Sequence, residues 1–478
     1  MSSTATAQHL INGEFTGEAV NERRNPARPD QIAVLAAAGT VDDADAAITA
    51  AAAAQQEWAA VPAPARGAVL LRAAEILRSR TELIATDLVR EEGKTIAEAS
   101  GEVARATGVL QFFGSLGWAS TGSTFESATP GTTVSTMRRP VGVVGLITPW
   151  NFPIAIPTWK TAPALLSGNA VVLKPAELTP MSASHLAAAL HEAGVPAGVF
   201  NVVHGSGRVV GDALARDSRI AALSFTGSTA VGRRLESILA ERGARSQLEM
   251  GGKNGVLVVD DADPRRAAQV VASGAFGLTG QACTATSRVY VTPGIRSAFL
   301  EELARAAAAY APGDGLEQGT AMGVVSSDAQ LERNVGAVQA AIDDGATLLH
   351  GRADSDGLRF APVVAVDVEH SSQIARDEIF GPIVAVMDVP GYEAGLAAIN
   401  DSAYGLTAGI CTTNLSHATD FANHAQAGVV KVNRPTSGLD LHVPFGGIKD
   451  SSSRTFREQG HTATHFYTWE KTVYVGVD

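Results

Sequence analysis

Cysteine is nearly absent from this chain: Cys283 and Cys411 are the only two in 478 residues. So few cysteines exclude a disulfide framework and fit a reducing compartment. Basic runs are missing too, and the net charge is −12. That balance speaks against nucleic acid or an anionic membrane surface as a main partner. No apolar run reaches the ~18 residues that a membrane span requires; the longest, at 141–147, is the size of a strand. The first ten residues have neither the basic start nor the apolar core of a signal peptide. Eleven histidines are scattered without HExxH or paired Cys-x-x-Cys spacing, so no metal site is expected. A soluble cytoplasmic protein is the expectation.

What is present is apolar and alanine-rich. The apolar share is 45% and the mean hydropathy +0.09, enough to bury the cores of two or three domains at this length. Helical periodicity runs over 41–59, 65–92 and 96–116, with Pro62 and Pro64 separating the first two. The Thr-, Ser- and Gly-rich stretch 121–139 alternates like an exposed hairpin. Strands are expected at 141–147, 170–174, 199–203, 221–225 and 247–250, alternating with helices at 182–193, 208–215 and 230–240. A second block places strands at 256–259, 288–291, 363–366, 383–387, 407–411 and 429–432, with helices at 264–276, 295–309, 329–342 and 415–425. Such alternation specifies parallel sheets covered on both faces. The blocks meet near residue 251, and ligands of such sheets bind outside the carboxyl ends of the strands. The tail 466–477 is β-rich and able to pair with the 121–139 hairpin or with another subunit.

Cys283 stands in Gly280-Gln281-Ala282-Cys283-Thr284, among small and polar neighbours that let a substrate and a peptide N–H approach the sulfur. Cys411, in an apolar run, reads as a buried strand residue. Glu249, in Glu249-Met250-Gly251-Gly252-Lys253, is either a solvated carboxylate or the base that activates water on an acyl group. Thr148-Pro149-Trp150-Asn151-Phe152-Pro153 follows a strand directly. Its prolines fix the turn, and Asn151 is positioned either as an oxyanion donor or as part of an ordinary Pro-rich turn. Lys174-Pro175-Ala176-Glu177 holds either two ribose hydroxyls or a surface ion pair. Phe225-Thr226-Gly227-Ser228 is strand, turn and helix start, with Ser228 placed for a pyrophosphate. Gly205-Ser206-Gly207-Arg208-Val209-Val210-Gly211 lacks the acidic residue of a dinucleotide fingerprint and reads as a loop-to-helix turn.

These motifs, in this order, together with Glu378-Ile379-Phe380-Gly381-Pro382, Asn433 and Pro444-Phe445-Gly446-Gly447, resemble the aldehyde dehydrogenase superfamily over essentially the whole chain. Met250 stands where the family most often has leucine. The resemblance implies an α/β fold with a Rossmann-type cofactor domain (1–120 and 140–250), an α/β catalytic domain (251–432) and a β-rich oligomerisation arm with a substrate loop (121–139 and 433–478). It implies NAD, with NADP as a possible second cofactor, and a homodimer or homotetramer. Cys283 would be the nucleophile, Asn151 and the Cys283 N–H the oxyanion hole, and Glu249 the base for thioester hydrolysis. Lys174 and Glu177 would hold the adenosine ribose, Ser228 the pyrophosphate and Glu378 the nicotinamide ribose. Phe380 would pack by the nicotinamide, with Thr148, Pro149, Trp150, Ala176, Phe225, Gly227 and Met250 lining the cofactor's path.

For the substrate, 433–452 and Arg457-Glu458-Gln459-Gly460 resemble the branch of the family that oxidises 2-oxoglutarate semialdehyde (2,5-dioxopentanoate). Arg434 is expected either to bind a distal carboxylate bidentately or to brace the loop. Phe152, Trp159 and Phe445 would line the tunnel, which would otherwise suit aliphatic or aromatic aldehydes. A CoA-acylating relative tends to lack the base, and a non-enzymatic scaffold would have lost the nucleophile; Glu249 and Cys283 argue against these two.

Overall fold

The computed structural model describes residues 4–119 and 122–477. Thr121, the first residue of the expected hairpin, and the first three residues of the chain lie outside the described residues.

Two seven-stranded sheets organise the chain. In the first, Arg245–Glu249, Ile220–Thr226, Val143–Ile147, Ala170–Lys174 and Phe200–Val202 run parallel, and the short antiparallel strands His9–Ile11 and Glu14–Thr16 extend one edge. Val143–Ile147 and Ala170–Lys174 are buried at every position, which explains their unbroken apolar runs. Val144, Leu146, Val171 and Leu173 pack with helices Ala63–Ser79, Ile96–Ser115, Ala155–Leu166 and Pro180–Glu192. The alternate residues, Val143, Ile147, Ala170 and Val172, pack with Val41–Ala60 and Thr229–Glu241 on the other face.

The second sheet has the order Thr347–His350, Val363–Val366, Ile383–Asp388, Thr286–Val291, Asn254–Val258, Thr407–Cys411, Val429–Val432. Only its first pair is antiparallel. Helices Pro264–Phe276 and Arg296–Ala308 cover one face, Asp328–Asp343 and Tyr392–Asn400 the other. A separate three-stranded sheet pairs Thr132–Pro140 along its length with Thr468–Gly476 and, on its other side, with Thr124–Phe125.

Several elements differ from the sequence expectation: strands Ala19–Asn25 and Arg28–Ala37, which form a small sheet with Ala5–Ala7, and helix Tyr392–Asn400 were not expected. The helical stretch 65–92 is two helices, Ala63–Ser79 and Thr81–Glu92, broken at Arg80 (φ −112°, ψ 16°). There the Ser79 and Thr81 hydroxyls donate to the Ile76 and Arg78 carbonyls and compete with the helical ladder. The stretch 208–215 divides into a wide turn, Gly207–Gly211, and the short helix Asp212–Arg216. Helix Ala155–Leu166, fully buried, was not expected at all. Asn151 and Glu249 follow or end strands of the first sheet, Cys283 precedes Thr286–Val291 of the second, and the cleft lies between the two sheets.

Candidate active site

The Cys283 turn is fixed through its backbone. Asn254 Nδ2 donates to the Cys283 and Ala285 carbonyls, both at 2.8 Å, and Thr436 Oγ1 donates to the Thr284 carbonyl at 2.7 Å. At Gly280 (φ +64°) a Cβ would lie 2.2 Å from the Gly381 carbonyl oxygen, so no other residue fits. The sulfur, left out of this network, borders a cavity of about 370 Å³. Burial, followed by the Glu378, Glu249 and Glu458 carboxylates, pushes the Cys283 thiol up to about 12. At neutral pH it is a thiol, and a base must take its proton before it attacks.

Asn151 is buried, and its Nδ2 donates to the Gln281 carbonyl at 2.9 Å. That bond uses one of two amide protons and leaves the other for an incoming oxygen. The turn is held from behind by Lys94, whose Nζ donates to the Asn151 carbonyl at 2.8 Å and to Glu102 at 2.7 Å. Glu102 in turn accepts the Ile154 and Ala155 N–H groups, each at 3.0 Å.

Glu249 ends its strand fully buried. One carboxylate oxygen accepts the Gly447 N–H at 3.3 Å; the other has no partner among the described residues. Burial first, and then the neighbouring Glu458 carboxylate, raise its pKa well above the usual carboxylate range, with Lys160 opposing. Glu458 pairs with Lys160 and accepts Trp159 Nε1 at 2.9 Å. It also exchanges two backbone hydrogen bonds of 2.7 Å with Phe445, which sets that ring in the cavity wall beside Phe152, Ile156, Trp159 and Leu439.

A second cleft, of about 500 Å³, runs past Ala36, Ala176, Glu177, Leu178, His204 and Gly205. Glu177 is exposed and accepts the Gly207 N–H at 3.3 Å. Lys174 Nζ is buried against the Pro175 carbonyl at 2.8 Å, and burial brings its pKa down to about 8, Glu177 opposing. Ser228 is the N-cap of Thr229–Glu241, yet its hydroxyl makes no capping bond. The first-turn N–H groups and that hydroxyl are thus free for an anion. A Cβ at Gly227 would meet the Phe225 ring at 2.5 Å, and one at Gly232 would meet Met250 Sδ at 2.4 Å. Glu378 accepts the Gly252 N–H at 2.8 Å, and burial raises its carboxyl to about 7. Phe380 (φ +68°) sets its ring edge-on to Trp150 at 5.4 Å. An unengaged helix N-terminus, a free hydroxyl and carboxylates near both ends suit a nicotinamide dinucleotide.

The aldehyde dehydrogenase family's sequence pattern matches residues 15–473. The chain belongs to the aldehyde dehydrogenase family. The α-ketoglutarate semialdehyde dehydrogenase of Haloferax volcanii is 44% identical over 482 residues, covering 98% of this chain and 99% of that protein. The 2,5-dioxopentanoate dehydrogenase of Saccharolobus solfataricus is 40% identical over 456 residues, 95% of each chain. An NAD-dependent aldehyde dehydrogenase from Sinorhizobium meliloti has the same fold, with a TM-score of 0.96 at 34% identity over 99% of this chain and 95% of that one. This aldehyde dehydrogenase is accordingly an oxidoreductase that uses NAD(P).

Within the family fold, Cys283, Glu249, Phe152, Trp159 and Phe445 share one cavity; Asn151 lies behind its wall, bonded to the Gln281 carbonyl two residues before Cys283. Arg434 does not. It is exposed, donates to the Asn433 carbonyl at 3.1 Å, and lines a different depression with Arg266 and Thr412. The reason is Asn433 (φ +52°), whose side chain bonds the Thr412 N–H and carbonyl at 3.0 and 2.8 Å. This ties the start of the loop beside Pro264–Phe276, and the loop reaches the cavity only later, at Ser437, Gly438 and Leu439. Sequence reasoning also passed over Glu98, Glu102 and Arg105, which helix Ile96–Ser115 brings to the cavity. Their spacing of four and three residues was the available signal: a charged stripe on a largely buried helix. Lys160 was missed together with its helix.

Proposed function

We propose that this enzyme oxidises 2-oxoglutarate semialdehyde to 2-oxoglutarate through a thioester on Cys283. The observation that carries the chemistry is one cavity bordered by the Cys283 thiol and by a buried carboxylate, Glu249, with an unpartnered oxygen. Glu249 takes the thiol proton, and Cys283 Sγ bonds to the aldehyde carbon. The aldehyde oxygen, now charged, would accept hydrogen bonds from Asn151 Nδ2 and the Cys283 N–H. Lys174 and Glu177 would hold the adenosine ribose of the dinucleotide, Ser228 its pyrophosphate and Glu378 the other ribose, and the nicotinamide, when bound, would supply the oxidation as acceptor of the hydride that leaves the tetrahedral carbon. After releasing its first proton to solvent, Glu249 takes another from water, whose oxygen attacks the thioester carbon; the C–S bond breaks and Cys283 is free again. Phe380, Trp150, Thr148 and Pro149 would pack the nicotinamide end, while Phe225, Gly227, Met250 and Ala176 would border the rest of the dinucleotide.

The substrate reading draws support from the two relatives named for this semialdehyde. On this reading residues 1–120 and 140–250 form the cofactor domain, 251–432 the catalytic domain, and the remainder an arm that joins copies of the chain into a homodimer or homotetramer. Exposed Trp469, Tyr474 and Val475 on the arm strand suit that role, which sedimentation equilibrium would test. Both cysteines are free, in keeping with a cytoplasmic setting. The substrate is tested by kcat/KM for 2-oxoglutarate semialdehyde beside hexanal and benzaldehyde, with NAD saturating. The semialdehyde is expected to be preferred. If hexanal or benzaldehyde wins, the apolar wall of Phe152, Trp159 and Phe445 defines a broad-specificity enzyme and the semialdehyde assignment fails.

A further inference from the structure

We propose that Arg105 binds the far carboxylate of the substrate bidentately and so makes the enzyme selective for an acid semialdehyde. This deepens the substrate reading above and rests on it. Helix Ile96–Ser115 contributes Glu98, Glu102 and Arg105 to the wall of the Cys283 cavity. The two carboxylates are already committed. Glu102 accepts Lys94 Nζ and the Ile154 and Ala155 N–H groups. Glu98 caps its own helix through the Thr95 N–H and hydroxyl, and its other oxygen accepts the Leu278 N–H at 2.7 Å.

Arg105 differs from both. It is the only cationic side chain among the described residues lining this cavity, and it forms no ion pair with a described residue. Its partners are neutral: Nη1 donates to the Leu439 carbonyl, and Nη2 to Gln459 Oε1 at 2.7 Å. The guanidinium has five N–H donors in a planar fork, remains charged at any working pH, and matches a carboxylate in shape. Asp440, which follows Leu439 along the loop, and then Glu102 act on Arg105 electrostatically, neither of them within ion-pair distance. Around the charge lie the Trp159 ring, with its centroid 5.7 Å from Arg105 Cζ, and the apolar side chains of Phe152, Ile156 and Leu439. A partly buried charge with no carboxylate within ion-pair distance is costly, and a carboxylate entering the cavity and bonding the guanidinium directly relieves that cost. The ligand class is therefore an ω-oxo carboxylate, with its aldehyde at Cys283 and its acid group at Arg105.

The test compares kcat/KM for 2-oxoglutarate semialdehyde with that for pentanal, an aldehyde of the same carbon number without charge, in wild type, Arg105→Gln and Arg105→Lys. The ratio of the two is expected to fall by roughly 10²-fold in Arg105→Gln, the scale of a charge-assisted pair, mainly through KM for the semialdehyde. Arg105→Lys, which keeps the charge and loses the fork, is expected to fall about tenfold. If the wild-type enzyme prefers pentanal, the substrate reading and the anchor fail together. If wild type prefers the semialdehyde and Arg105→Gln keeps the ratio within about threefold of wild type, the anchor fails alone. Equal loss on both aldehydes with a lowered Tm would assign Arg105 to bracing Leu439 and Gln459, and overturns the proposal. Should Arg105→Gln not fold, an Arg105→Lys ratio equal to that of wild type does so.

Discussion

A thiol whose pKa is near 12 is almost wholly protonated at neutral pH, so the reactivity of Cys283 depends on the carboxylates around it. Cys283→Ala is expected to abolish turnover while NADH still binds, measured by fluorescence titration. Cys411→Ala, inside the buried strand Thr407–Cys411, is expected to change steady-state activity little. Glu249→Gln separates the two halves of the reaction: a rapid NADH burst persists at high pH, and turnover then stalls at the thioester. Asn151→Ala is expected to slow the burst itself, by roughly 10²–10³-fold. Stopped-flow absorbance at 340 nm reads both, and equal loss of burst and steady state in Glu249→Gln at high pH, where hydroxide can ionise the thiol in place of Glu249, would count against this division. At the residue scale the sequence distinguished the two cysteines well, because the neighbours of each reveal its surroundings. It did not distinguish the arginines. Whether Arg434 or Arg105 faces the cavity depends on how Asn433 ties down a loop, which local pattern does not encode.

Among the elements, the fully buried strands were legible because each is a short apolar run bounded by turn residues. Helix Ala155–Leu166 was hidden by Pro157 and Pro163 inside it, since proline ordinarily argues against a helix interior. With that helix went Trp159's neighbour Lys160, and with Lys160 the ion pair to Glu458. No sequence pattern links positions 298 residues apart. Glu458→Gln leaves the Lys160 ammonium buried without its carboxylate, so a loss of roughly 3–5 kcal/mol is expected, measured by denaturant unfolding. The same change removes a negative charge beside Glu249 and leaves Lys160 to act on it unopposed. Both effects lower the Glu249 pKa, so the rising limb of kcat against pH is expected to move to lower pH. A limb that stays in place would show that Glu249 does not govern it.

For the molecule as a whole, the proposed cofactor and substrate sites are separate clefts, and each is expected to set its own preference. Glu177 borders the dinucleotide cleft as an exposed carboxylate, able to accept ribose hydroxyls and to repel a 2′-phosphate. NAD is expected to be preferred over NADP in kcat/KM, and Glu177→Gln to narrow the gap; a wild-type preference for NADP would contradict this.

On the substrate wall, the Lys94–Glu102 pair holds the Asn151 turn and the first turn of helix Ala155–Leu166 against the helix that carries Arg105. The proposed oxyanion donor and carboxylate anchor are therefore tied together by one network of hydrogen bonds. A network of that kind measures length. Semialdehydes of four or six carbons, with the same two end groups, are expected to react with markedly lower kcat than the five-carbon substrate: one reaches the anchor only by leaving the sulfur, and the other must buckle to fit.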